Sequence, residues 1–376
     1  MKNVILESEK DMFEEVNKEL TKPFIPKCDT GYSETIRIDL LEHGIKDVVF
    51  DIPPKPKLEH EVEMWDTINK FETDSWSPKK MGLKSGYSSI DKALDGGIKP
   101  GFYIIGAESN IGKTIFLTQL AWQIVENNDE VFVMDFSLDD PMPDKISRVV
   151  ASGNKVLINS VKSPIGYVEY PLMLARRLKG MNKLRQNTNK YRIYDATFST
   201  DIEDIEKEIQ RVKINLEVAN LGGTQIVVCI DNFHDLTIKT HPSFQDKQKY
   251  DHLAQRCADI AIQYDIAVIC TGELRKINGA LRPTMDALRE SVKIKYEAKA
   301  ILLCHSDVHH RGEGAEVYFN RSDSPLKQPV FEVHFAKNKF SNFKGRLFFE
   351  SYPEMSRMEE ADEQSTKHYS NVIFGG

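Results

Sequence analysis

The chain has 376 residues, 40% of them hydrophobic, which suits one ordinary packed core with appendages and falls short of two large domains. Its formal net charge of -7 excludes a protein that coats nucleic acid with its whole surface, so any such contact must be confined to a local basic channel. Five widely spaced cysteines, an acidic N-terminus and the lack of an apolar run approaching the ~18 residues of a membrane span predict a reduced, soluble, cytoplasmic protein with no membrane partner.

Residues 1–80 read as a short N-terminal helical appendage, in which two charged helix-like pieces flank the Pro-rich stretch DIPPKPKLEH. In the second piece Val62, Trp65, Ile68 and Phe71 recur at three-residue steps, giving one apolar stripe that needs a partner, either its own domain or a neighbouring subunit. From residue 81 the pattern changes to strand, helix, strand. Apolar runs at 102–106, 131–136, 191–196, 226–231, 266–271 and 300–305 are continuous, as in strands covered on both faces, so the fold class is α/β with a mostly parallel sheet. After residue 312 the helices are expected to stop, and VYF, PVFEVHF and GRLFFES read as an antiparallel strand extension. The main domain is placed at 81–357 and a tail at 358–376.

The stretch GAESNIGKT, residues 106–114, fits G-x-x-x-x-G-K-[ST] with Gly106, Gly112, Lys113 and Thr114 in the demanded places. A predicted strand precedes it and a predicted helix follows. Backbone N–H groups along the turn, those of Asn110 and Ile111 included, can therefore face phosphates. Lys113 would reach the β and γ phosphates, and the Thr114 hydroxyl would ligate Mg²⁺. A metal–nucleotide site also wants an acid at a nearby strand tip, and Asp231 closes the run IVVCID. Asp139 and Asp140, just past VFVMDF, could prepare an attacking water or be plain surface acids at a helix start. Two later loops carry the positive charge that gripping a nucleic-acid backbone needs: TIKTHPSFQDKQKY, and LRKINGALRP with Arg275, Lys276 and Arg282. Cys304, His305, His309 and His310 crowd together but lack the second pair of ligands a zinc site wants, so their segment is read as a loop between strands.

These motifs, in this order, resemble the DnaB-like replicative helicases, RecA-fold motors of helicase superfamily 4. SGYSSIDKALDGGIKPG resembles the family's lead into the phosphate loop, FSLDD its F-S-L-E-M, IDNFHDL its I-D-Y-L-Q-L and RPTMDALRES its R-P-x-x-x-D-L-R-E-S. FAKNKFSNFKGRLFFES resembles its final K-Q-R-N-G segment. The resemblance implies a RecA-like core that hydrolyses ATP with Mg²⁺ between subunits of a homo-oligomeric, usually hexameric, ring and moves along single-stranded DNA. Position by position it places Asp139 at the catalytic Glu and Glu273 at a Gln that senses the γ phosphate. Lys337 and Lys339 fall where the family has a Lys and an arginine finger reaching into the neighbour's site. It also makes a loader or primase a candidate partner.

Several residues depart from the family pattern. Asp139 is one methylene shorter than Glu, Glu273 brings negative charge where a neutral amide faces phosphate, and Lys339 lacks the planar fork of guanidinium. An alternative is therefore a nucleotide-dependent DNA-binding or assembly protein with a slow ATPase. The pair GYSSID and GGIKPG also resembles RadA-type recombination ATPases. Residues 1–80 are too few for the family's helical N-terminal domain, which leaves primase coupling open and ring assembly expected.

Overall fold

The computed structural model describes residues 35–38, 48–51, 55–75, 78–275, 282–288 and 292–375. The chain forms two compact units, Met1–Trp76 and Ser77–Gly376. In the first, strands β1 (Thr35–Ile38) and β2 (Val48–Asp51) pair antiparallel, Thr35 opposite Asp51. The appendage is thus not purely helical: runs of four residues are too short to stand out from a charged background. Helix α1 (Glu59–Ser75) is the expected amphipathic piece. Of its apolar stripe Ile68 and Phe71 are exposed, as is Met64, while Val62 and Trp65 are half-buried.

The second unit holds a ten-stranded sheet. Its strands are β3 (Gly101–Ala107), β4 (Val131–Ser137), β5 (Tyr191–Asp195), β6 (Gln225–Asp231), β7 (Ala267–Glu273), β8 (Ala300–His305), β9 (Tyr318–Arg321), β10 (Ser324–Asn338), β11 (Arg346–Tyr352) and β12 (Arg357–Glu360). All six expected apolar runs are strands. They lie in the order β5-β4-β6-β7-β3-β8, every neighbouring pair parallel, and β10, β11 and β12 continue the sheet antiparallel beyond β8, with β9 paired to β10. The helices are α2 (Ser88–Ala93), α3 (Lys113–Asn127), α4 (Met142–Asn154), α5 (Ile158–Lys162), α6 (Pro171–Gln186), α7 (Ile202–Val218), α8 (Asp246–Tyr264), α9 (Val292–Glu297), α10 (Asp307–Arg311) and α11 (Glu363–Phe374).

Strand side chains alternate between faces, and here both faces are apolar. Along β3, Tyr103, Ile105 and Ala107 pack with Phe116, Leu120 and Trp122 of α3 on one side. Phe102 and Ile104 pack with Ile205 of α7 and Leu253 of α8 on the other. Each such fully buried side chain contributes about 1.5–3 kcal/mol of transfer free energy. The Gly-Gly of the lead-in has a steric cause as well. Leu83 and Ile98 exchange backbone hydrogen bonds of 2.8 and 2.7 Å, and Gly97, at φ 153°, is so close that a Cβ would lie 2.3 Å from the Leu83 carbonyl oxygen.

The segment 358–376 does not hang free as a tail. Met358 is fully buried and exchanges two hydrogen bonds with the Gln119 side chain of α3, at 2.9 and 2.7 Å. The Glu360 carboxylate accepts the backbone N–H groups of Ser88 and Ser89 at the start of α2, at 3.0 and 2.7 Å. Helix α11 buries Tyr369 against Phe348. Helices therefore do not stop at 312; α11 follows. The polar composition of the last residues hides how few apolar contacts are needed to seat one short helix.

Beneath the strand tips lies a buried ion pair. Lys145 of α4 and Asp135 of β4 are both fully buried with 3.2 Å between Nζ and Oδ1, and the Tyr191 hydroxyl donates to the other Asp135 oxygen at 2.5 Å. Burial opposes the Lys145 charge, but Asp135 and then Asp231 outweigh it and raise its pKa. Removing one member of such a pair leaves an uncompensated charge in the interior. Lys145→Met is expected to cost about 3–5 kcal/mol of unfolding free energy. Urea titration reads that loss, and the double variant Lys145→Met/Asp135→Asn should regain most of it.

Candidate functional site

The parallel register brings the carboxyl ends of β3, β4, β6 and β7 to one edge. Ala107 sits opposite Glu273, and Ser137 opposite Asp231. Ligands of open α/β sheets bind at this edge. Between β3 and α3 the loop turns through left-handed backbone at Asn110 (φ 64°) and Gly112 (φ 118°). At Gly112 a Cβ would also approach the Met358 methyl to 3.0 Å, so the second glycine of the motif answers to conformation and packing together. Gly106 is a packing glycine: a Cβ there would meet a Leu274 methyl at 2.9 Å.

A cleft of about 450 Å³ opens over this edge, lined by Asn110, Gly112, Lys113, Thr114, Asp139, Asp231 and Glu273, and also by Ser109, Asp140 and Arg148. Ile111 is buried beneath the turn. The sequence-predicted phosphate, metal and catalytic candidates of the loop and the strand tips are thus gathered in one place.

The Lys113 ammonium donates 3.0 Å hydrogen bonds to the carbonyls of Ala107 and Glu108, folded back on its own loop. Burial pushes its pKa down, and the carboxylates of Glu273 and Asp231 push back. Asp231 is buried and accepts a 2.5 Å hydrogen bond from the Thr271 hydroxyl of β7, which fixes its orientation. Glu273 accepts from the Ser109 hydroxyl at 3.0 Å, so a carboxylate bridges the β7 tip and the phosphate loop. Its backbone N–H donates to His234 Nδ1 at 3.2 Å. Asp139 is exposed to the cleft, whereas Asp140 is held by Arg148 at 2.8 Å. Both acids past β4 line the cleft, then, but Asp140 is tied to Arg148 and Asp139 is the more exposed.

Acidity is concentrated here. Asp235 has its pKa raised by burial and then by the carboxylates of Asp139, Asp231 and Glu273. Oxygen donors with surplus negative charge suit a hard divalent cation such as Mg²⁺. Among the described residues no three His, Cys, Asp or Glu side chains come together as a metal cage. Thr114 and Asp231 would therefore hold Mg²⁺ jointly with phosphate oxygens, as Mg²⁺ sites commonly do.

The remaining candidates lie elsewhere. Lys337 pairs across from Ile301, Asn338 from Ala300, and the Lys339 N–H donates to the Lys299 carbonyl at 2.9 Å. Both lysines therefore sit at the amino end of β8, the opposite end of the sheet from Lys113. Lys337 Nζ donates to the carbonyls of Lys295 (2.6 Å) and Tyr296 (2.8 Å), and burial lowers its pKa to about 8, helped by Lys339. Arg275 is exposed just past β7, and Lys276 lies outside the described residues. Arg282 is committed to Glu332 by two hydrogen bonds, at 2.7 and 2.8 Å, which takes it from the outward-facing set. Cys304 and His305 end β8, and the residues after them form α10, not the expected loop, with His305 stacked on His310 at 4.8 Å.

Sequence reading missed Ser109, Thr271 and Arg148. Ser109 falls at a variable loop position, Thr271 is one more residue of an apolar strand, and Arg148 sits inside the apolar run ISRVVAS. A sequence signal existed only for Arg148, nine residues beyond Asp139 on a helix that must start at the same edge.

Residues 82–349 match the family described as DnaB-like helicase C terminal domain. Over 333 residues, 86% of this chain, it is 23% identical to a probable replicative DNA helicase of Trieres chinensis, of which it spans 68%. Over 82% of this chain it is 23% identical to the replicative DNA helicase DnaB of Haemophilus influenzae, spanning 60% of that protein. The fold is similar to that of a solved structure described as an ATPase domain, with a TM-score of 0.65 at 18% identity over 80% of this chain and 98% of that one. It is also similar to a DnaB-like replicative helicase studied with its interactions with primase, with a TM-score of 0.64 at 18% identity over 86% of this chain and 70% of that one.

Replacing Glu273 by Gln removes a like charge from the phosphate cleft while keeping an acceptor for Ser109. Nucleotide should bind about fivefold tighter, or about 1 kcal/mol, in a fluorescent-nucleotide titration with Mg²⁺. Lys113→Ala should abolish the signal.

Proposed function

Because the chain belongs to the DnaB-like helicase C-terminal domain family, we propose that it is an ATP-dependent motor of DNA replication that translocates on single-stranded DNA as a homo-oligomeric, six-membered ring. The observation that carries this reading is the separation of Lys337 and Lys339 from Lys113 across the length of one sheet. Cations at that end are too far from their own cleft to serve it. In a head-to-tail ring each subunit presents that end to the next subunit's phosphates.

In this reading the backbone N–H groups of the turn and Lys113 hold the phosphates. Thr114 and Asp231 would hold Mg²⁺, which would supply charge neutralisation on the transferring group. Asp139 accepts a proton from the attacking water, Glu273 faces the γ phosphate, and Lys337 and Lys339 of the neighbour neutralise charge in the transition state. Arg275 contacts the DNA backbone from the exit of β7, and Lys276 is the next residue in the sequence. A loader or primase would be a further partner of the assembled ring. No described helix is long and apolar enough to cross a membrane.

A second reading, an assembly protein with slow turnover, is favoured by the hydrogen bond between Glu273 and Ser109, which sets a carboxylate against the phosphate loop. Turnover separates the two. Hydrolysis that rises at least about tenfold on adding oligo(dT), and that vanishes in Lys113→Ala, supports the motor. A rate indifferent to DNA would sink it.

The neighbour's lysines also set a pH dependence. Lys337 works as a cation, and its folded pKa, lowered by burial to about 8, lies below the ordinary lysine value of 10.5. Its charge is therefore complete below that value and is lost as pH rises through it. Turnover at saturating ATP should fall on the alkaline side with an apparent pKa near 8, and Lys337→Arg should move that limb upward.

A further inference from the structure

Arg282 was expected at the DNA and is found half-buried, paired with an interior carboxylate. Its Nε and Nη2 donate to Oε2 and Oε1 of Glu332, a two-pronged contact to a carboxylate that is fully buried. Arg346 of β11 adds a second guanidinium 3.6 Å from the same carboxylate, and His305 stands opposite Glu332 in the ladder between β8 and β10. Burial, and after it Arg282, lowers the His305 pKa to about 3, so it contributes no charge of its own. A buried ion pair of this kind adds little net stability over apolar side chains of the same volume; its best-attested use is to fix position.

Two places are fixed by it. On one side, Arg282 belongs to the segment leaving β7, whose base is closed by the Arg275 N–H to Ala287 carbonyl bond at 2.9 Å and by the bridge between Leu274 and Leu288. Arg275 is exposed on that base. On the other side, Glu332 lies on β10 five residues before Lys337 and seven before Lys339. The register of β10 against β8 shifts between Phe335 and Lys337, and such an irregularity lets a small displacement of the strand re-aim the side chains beyond it.

We propose that the Arg282–Glu332 pair is a positioning link that sets Lys337 and Lys339 according to what Arg275 contacts. DNA-stimulated hydrolysis then depends on Glu332, and basal hydrolysis does not. The link rests on the translocase reading above. It differs from the Ser109–Glu273–His234 contacts, which join the same segment's root to the chain's own cleft, because it runs away from that cleft to the neighbour's.

The test uses full-length protein, with ATPase rates measured with and without oligo(dT) and oligo(dT) affinity measured in parallel. Glu332→Gln keeps shape and a hydrogen-bond acceptor but removes the charge. Glu332→Asp keeps the charge and draws the carboxylate back by one methylene. Glu332→Gln should leave basal rate and DNA affinity within about twofold of the parent and reduce the stimulation at least about fivefold, with Glu332→Asp between the two. Full stimulation in a folded Glu332→Gln protein overturns the link. So does a parallel fall of basal and stimulated rates, or failure of both variants to fold, since each assigns the pair to stability alone. A parent protein that DNA does not stimulate overturns the translocase reading, and the link with it.

Discussion

The structure depends on one constraint: β3, β7, β6 and β4 pair in parallel and in register, so their carboxyl ends stop at one edge. Parallel pairing forces each connection to cross back over a face of the sheet, which is why α3, α7 and α8 cover it and why the strands are mostly apolar on both faces. The polar residues the chemistry needs can then appear only where strands end. Asp231, Glu273, Asp139 and the phosphate loop are four strand exits, and their proximity is a property of the pairing. Beneath them the Lys145–Asp135 pair offers the edge one fixed internal charge pattern in place of a deformable apolar layer.

Antiparallel continuation past β8 has the opposite effect. Because β10 runs against its neighbour, residues at its carboxyl end, Lys337 and Lys339, emerge at the sheet edge remote from the cleft. A single change of strand direction thus gives one domain two chemically distinct ends, an acid-lined cleft at one and a pair of lysines at the other. In the ring proposed above, the lysine end of one copy would meet the cleft of the next.

How much of this could be read in the sequence follows from the range of the interactions involved. The phosphate loop, Asp231 and the six buried strands were legible because each is a local pattern: a spacing, a continuous apolar run, an acid at its end. The pairing of Arg282 was not legible because an exposed and an ion-paired arginine look alike until Glu332, fifty residues away, is brought beside it. Ser109 and Thr271 became functional candidates only through partners on other strands. The β1–β2 pair and the seating of β12 and α11 were missed for a related reason. Short elements that gain their stability from neighbours carry little pattern of their own.

The bonds from Met358 to Gln119 and from Glu360 to the start of α2 have a consequence for how the protein is made. The helix that opens at Lys113 and the start of α2 are both fastened by residues near position 360. During synthesis the phosphate loop leaves the ribosome well before the strand that fastens its helix, since Met358 follows Gln119 by 239 residues. Over that interval the nascent chain carries the loop motif without the packing behind its helix, and the helix is locked in place only once Met358 has joined it.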